Sequence, residues 1–157
     1  MKQAGIALTL YAKDHGGRFP RHPSGYGDAL SLLRDDTMPF AVTGPGYSEE
    51  VFKRAWATPT PSHVEEALCG RVYVQGLAET NDPRIAVLFD KVAAPPDHCH
   101  FPQRLWAEFV REVWTIGEGH RIVPVDCWPT FASNQVELLM QAGFTRSRAE
   151  ALYSQVR

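Results

Sequence analysis

The sequence predicts an α+β domain: an N-terminal helix packed on a small antiparallel sheet, with further helices at the C-terminus. Three observations carry that expectation. Residues 2–13 read as a helix with no capping signal at its front, and the helix stops at Gly16 and Gly17, with Pro20 just beyond. The segments 71–77, 84–90 and 111–125 have strand character. Asn134 with Glu137, and Ser147 with Glu150, have the spacing of capping boxes and place helices after the sheet. One domain over 1–157 follows, divided into a helix at 1–15, a sheet within 71–125 and helices within 134–155.

The opening helix has no capping signal at its front, so it reads as the rear part of a longer helix. At about 100° per residue, Ala4, Ala7, Leu8 and Tyr11 gather on one side, with Ala12 at its margin. Ile6 and Leu10 point nearly the opposite way, flanked by Lys2 and Lys13. A surface helix packing on one core shows one stripe. Two stripes imply one side for its own domain and one for a partner, unless the helix is buried all round within its own fold.

A connector rich in Pro and Gly follows (GGRFPRHPSGYG), then a short helix over Asp28–Leu33 with Asp28 as N-cap. Residues 36–63 hold Pro39, Pro45, Pro59 and Pro61 and read as loop, with one helical turn at Ser48–Trp56. In RVYVQGL, Val72 and Val74 alternate with Arg71, Tyr73 and Gln75, the pattern of a half-buried strand. RIAVLFD is more continuously apolar and reads as central. REVWTIGEGHRIVPV reads as a hairpin whose turn glycines, Gly117 and Gly119, allow positive φ. Pro124 assigns its last strand to an edge or bulge. The first C-terminal helix ends at Gly143, and the second runs from 148 to about 155.

A content of 44% hydrophobic and 22% charged residues is that of a globular protein, and a net charge of −2 gives no basic footprint for nucleic acid. No run of about 18 apolar residues is present to span a bilayer, and the first residues lack the apolar centre of a secretory signal. Cys69, Cys99 and Cys127 allow three pairings with one thiol left over, or three buried thiols.

The densest reactive cluster is Asp97-His98-Cys99-His100. With Cys127 it is chemically capable of holding Zn²⁺, but it lacks the two ligand pairs of a closed structural site. The bland reading is a polar loop with one buried thiol. No nucleophile elbow accompanies Cys99 or Cys127. GPG at 44–46 and GEG at 117–119 match neither phosphate-binding fingerprint, and Glu79, Asn81 and Asp82 fall short of a calcium loop. Trp56, Trp106, Trp114 and Trp128 fit core packing as well as a binding platform. The expectation is no catalytic, cofactor or metal residue.

The opening segment KQAGIALTLYAKDHGGRFP resembles the stretch that follows the membrane-embedded half-helix in bacterial proteins with a prepilin-type N-terminus, the type IV pilins and type II secretion pseudopilins. Lys2, Gln3, Gly5, Ala7, Leu8, Tyr11, Ala12, Asp14, Gly17, Phe19 and Pro20 carry the likeness. YVQGLAETNDPRIAVLFD is similar to that group's strand, Asp-Pro loop and apolar strand. EVWTIGEGHRIVPV is similar to its C-terminal hairpin, with Glu118, Gly119 and His120 in the turn and His98 or His100 as the usual upstream histidine. The C-terminal helices have no counterpart in the likeness.

The resemblance implies a pilin-like fold and a non-enzymatic subunit of an envelope or secretion assembly. Its partners would be other pilin-like subunits or secretion machinery, with Ile6 and Leu10 as the assembly interface. Members of that group begin with a basic leader, a processing site and an apolar anchor, none of which this sequence contains. The chain is then a truncated form, a form with its start assigned too late, or a soluble derivative. The full-length form would be periplasmic or envelope-exposed, held to the membrane only through that segment, and this chain alone would be monomeric. Two other readings stand beside it: a metal-binding or metal-dependent hydrolytic domain centred on 97–100, and a ligand-binding module using the tryptophans and the 36–63 loop.

Overall fold

A computed structural model describes residues 1–33, 42–45, 50, 53, 66–94 and 109–156. Helix α1 spans Lys2–Asp14, as the sequence predicts. Ala4, Leu8 and Ala12 are fully buried, and the helix meets the sheet so closely at Gly5 that a Cβ there would lie 1.9 Å from the Trp114 ring. Gly16 and Gly17 both adopt positive φ, and the Gly17 N–H donates to the Ala12 carbonyl at 2.7 Å. That bond closes the last turn in the Schellman manner.

Four strands form one antiparallel sheet in the order β1 (Arg71–Tyr73), β2 (Ala86–Asp90), β3 (Val110–Thr115), β4 (Gly119–Pro124). Two C-terminal helices follow, α3 (Trp128–Gln141) and α4 (Arg146–Ser154), after a short helix α2 (Tyr26–Leu30) early in the chain. The α+β arrangement with an N-terminal helix, an antiparallel sheet and C-terminal helices is therefore present. β2 is interior and buried along its whole length, as a continuous apolar strand should be.

The half-buried reading of β1 is corrected: Arg71, Val72 and Tyr73 are all buried. Both sheet faces are covered, which removes the water-facing side. α1 covers the face of Leu88 and Trp114, while Phe89 on the other face stacks on Tyr153 of α4 and meets Trp128 of α3. Arg71 tolerates burial because the β1–β2 register puts Asp90 opposite, with Arg71 Nε donating to Asp90 Oδ1 at 3.0 Å. The Tyr73 hydroxyl donates to the Pro20 carbonyl at 2.7 Å. The strand is also shorter than 71–77, and a positive φ at Gly76 turns the chain away.

The hairpin of β3 and β4 stands where the sequence places it, and Pro124 lies on the edge strand opposite Val110. Gly119 has φ 74. Gly117 is needed for a different reason than expected: its φ is ordinary, but a Cβ there would come within 2.5 Å of Pro83.

Helix starts differ most from expectation. Asp28 does not cap α2 but lies buried inside it; the Tyr26 N–H is capped instead by Glu66 Oε1 at 2.6 Å, a carboxylate forty residues away in sequence. α3 starts at Trp128 rather than Asn134, because a 3-10 turn over Val125–Cys127 leads into it and Pro129 is accommodated in the first turn. Asn134 is therefore mid-helix and makes no capping box with Glu137. α4 starts two residues early, capped by Thr145, whose hydroxyl accepts from the Arg148 N–H at 3.3 Å; Ser147 is not the cap. Gly143 ends α3 with φ 91, as expected. The helical turn expected at 48–56 lies mostly outside the described residues.

Candidate interaction surface

The two-sided helix predicted from sequence is what α1 forms. Its inner stripe is inaccessible, whereas Ile6 is 52% and Leu10 55% exposed, among the most exposed large apolar side chains of the described residues. Ala7 and Tyr11 are partly buried against the core, so the second stripe is Ile6 and Leu10 alone. Lys2 and Lys13 are exposed at its two ends and make no ion pair among the described residues. Leaving two half-exposed aliphatic side chains in water forgoes roughly 1 kcal/mol per side chain that full burial would supply.

The helix is fixed from below. Gly5 rests on Trp114, and the Met1 amino group lies 3.4 Å from Glu112 Oε2 on β3. Glu112 Oε1 is in turn 3.4 Å from Nε2 of His120, the turn histidine singled out in the sequence. The presented face is thus held on a rigid sheet, a contribution of Glu112 that its isolated place in the sequence gave no means to foresee.

The remaining polar clusters are structural. Asp90 is buried with Arg71, and its Oδ2 accepts from the Glu112 N–H at 3.1 Å. Burial pushes its carboxyl above the usual range, while Arg71 acts against that shift. Cys69 is buried, and desolvation pushes its thiol up to about 11, the opposite of an activated nucleophile. The Tyr26 hydroxyl donates to the Glu66 carbonyl at 3.0 Å, and burial raises its ionisation well above the ordinary value. His22 Nδ1 stands 3.7 Å from Asp28 Oδ2 but accepts from the Ser24 N–H at 3.3 Å. Among the described residues, no set of three or more His, Cys, Asp or Glu is placed to hold a metal.

Asp97, His98, Cys99 and His100 lie outside the described residues, as do Trp56 and Trp106. Trp114 packs beneath α1, and Trp128 is buried among Phe89, Phe131 and Tyr153 with the Arg111 guanidinium 4.9 Å above its ring. Both are packing residues rather than an open platform. Cys127 is an exposed free thiol. No described helix is long and apolar enough to cross a membrane. No protein-family model matches the chain, and no curated protein or solved structure matches it.

Proposed function

We propose that this protein is a non-enzymatic interaction subunit of a bacterial envelope or secretion assembly, of the pilin-like and pseudopilin-like kind that its opening segment resembles. One observation carries the reading: α1 turns Ala4, Leu8 and Ala12 into the core and leaves Ile6 and Leu10 in water on the opposite side. A helix that needed only to cover its sheet would carry polar residues there. The partners are then other pilin-like subunits or secretion machinery that accept the Ile6–Leu10 stripe.

The test is photo-crosslinking in the cells that make the protein, with a crosslinking amino acid at position 6 or 10 and, as control, at the exposed position 84. Adducts with envelope or secretion proteins from positions 6 and 10 alone support the assignment. Equal labelling from position 84, or adducts only with cytosolic proteins, overturns it.

A further inference from the structure

The edge of the sheet at β4 offers a second surface. The Val110 N–H donates to the Ala94 carbonyl and the Glu112 N–H to Asp90, so residues 110, 112 and 114 of β3 point their backbone groups toward β2. Residues 111, 113 and 115 therefore face β4, where they pair with Val123, Arg121 and Gly119. The Val125 N–H donating to the Phe109 carbonyl keeps the same phase. By alternation, the N–H and C=O groups of His120 and Ile122, and the C=O of Pro124, point away from the sheet. β4 is the terminal strand, and no described strand pairs with that edge.

α1 packs against β4 as well as on Trp114 of β3. Tyr11 lies on the flank of α1 that faces Tyr73 on β1, at the far side of the sheet. Helical periodicity puts Lys2, Ile6, Thr9 and Lys13 on the opposite flank, the one on the β4 side. Eleven residues of helix separate the two lysines by about 16 Å, the length of about five strand residues. Arg121, the exposed side chain of β4, is paired with Glu118 at 2.9 Å, so among the described residues the unpaired basic groups on this flank are the two lysines.

We infer that the outer edge of β4 takes up an extended acidic segment of a partner protein as a fifth strand, its backbone pairing with His120, Ile122 and Pro124. The apolar side chains of that segment lie along Ile6, and its carboxylates reach Lys2 and Lys13. Pro124 supplies no N–H and sets the limit of pairing. This inference rests on the reading of the protein as an interaction subunit and names the form of one partner.

The experiment is selection of random peptides displayed on phage against the whole chain, followed by amide exchange with the enriched peptide synthesised. Enrichment of acidic sequences with alternating apolar residues is expected. At roughly ten times its dissociation constant, such a peptide should slow exchange of the His120 and Ile122 amides by about tenfold. In a Lys2→Glu, Lys13→Glu variant, the same peptide should bind more weakly. No enrichment, or binding that leaves the two amides untouched, overturns the inference. Crosslinks from positions 6 and 10 that persist after such a result leave the subunit reading standing, whereas peptide binding without those crosslinks leaves the edge site and removes that reading.

Discussion

At Gly5, two effects of opposite sign meet in one position. Alanine is better than glycine inside a helix by about 1 kcal/mol. A Cβ at Gly5 would nevertheless fall 1.9 Å from Trp114 Cδ2 and 2.3 Å from two more ring atoms, so the indole or the helix must move. The overlap is with a rigid ring, and overpacking of this kind costs about 1–3 kcal/mol or more. Gly5→Ala should therefore lower Tm, read by thermal unfolding, and Trp114→Leu in the same chain should turn the change into a gain. A rise in Tm from Gly5→Ala alone would refute the close approach. The resemblance to pilin-like sequences singled out Gly5, but its reason is steric and became visible only with Trp114 above the sheet. Asp82 supplies a second case. Arg84 donates to both its carboxylate oxygens, at 3.0 and 2.7 Å, and its N–H donates at 2.9 Å, holding the carboxyl at about 2 against an ordinary 3.8. A carboxyl depressed in the folded state adds stability above its unfolded value, and that stability is lost as pH falls through the folded value. The window is thus pH 4 down to 2. Arg84→Ala should bring the Asp82 titration, followed by NMR of the side-chain carboxyl, up toward 3.8.

Within elements, periodicity was readable wherever one side of an element met the core. α1 and the hairpin came out with their bounds nearly correct because each has a dry face and a wetter one. β1 did not, since burial of both faces erases alternation, and the Arg71–Asp90 pair that allows it joins residues from different strands. α3 was read too short because Trp128-Pro129 has the composition of a loop, whereas proline in the first helical turn loses no hydrogen bond. α3 is also tied to the sheet by a contact no sequence pattern reveals. The buried Gln135 accepts from the Ala86 N–H at 2.8 Å and donates to the Arg84 carbonyl at 3.0 Å. The two stripes of α1 give a prediction at this scale. Leu8→Ala opens a cavity under a fully buried side chain and should destabilise by about 2–5 kcal/mol. Ile6→Asp with Leu10→Asp changes only exposed positions and should stay within roughly 0.5 kcal/mol per site. Urea unfolding separates the two; equal losses would mean that α1 buries both stripes.

For the molecule as a whole, the question is what its exposed apolar surface can hold together. The covered sheet leaves α1 as the only described helix with two neighbouring, more than half-exposed aliphatic side chains, and Phe109 with Val125 at the far end of the hairpin as another small patch. Stable protein–protein interfaces bury about 1,200–2,000 Å² in total. Two aliphatic side chains per copy fall well short of that, and association also loses translational and rotational freedom worth several kcal/mol. The Ile6–Leu10 stripe by itself is therefore too small to hold a stable partner. Copies of this chain should sediment as monomers at micromolar concentration, and Ile6→Asp with Leu10→Asp should leave that unchanged. A stable dimer abolished by the double variant would show the stripe to be a self-association surface with far more buried area than α1 exposes. A dimer indifferent to the variant would place self-association elsewhere on the chain. A monomer in both cases is what the small apolar area exposed by the described residues predicts.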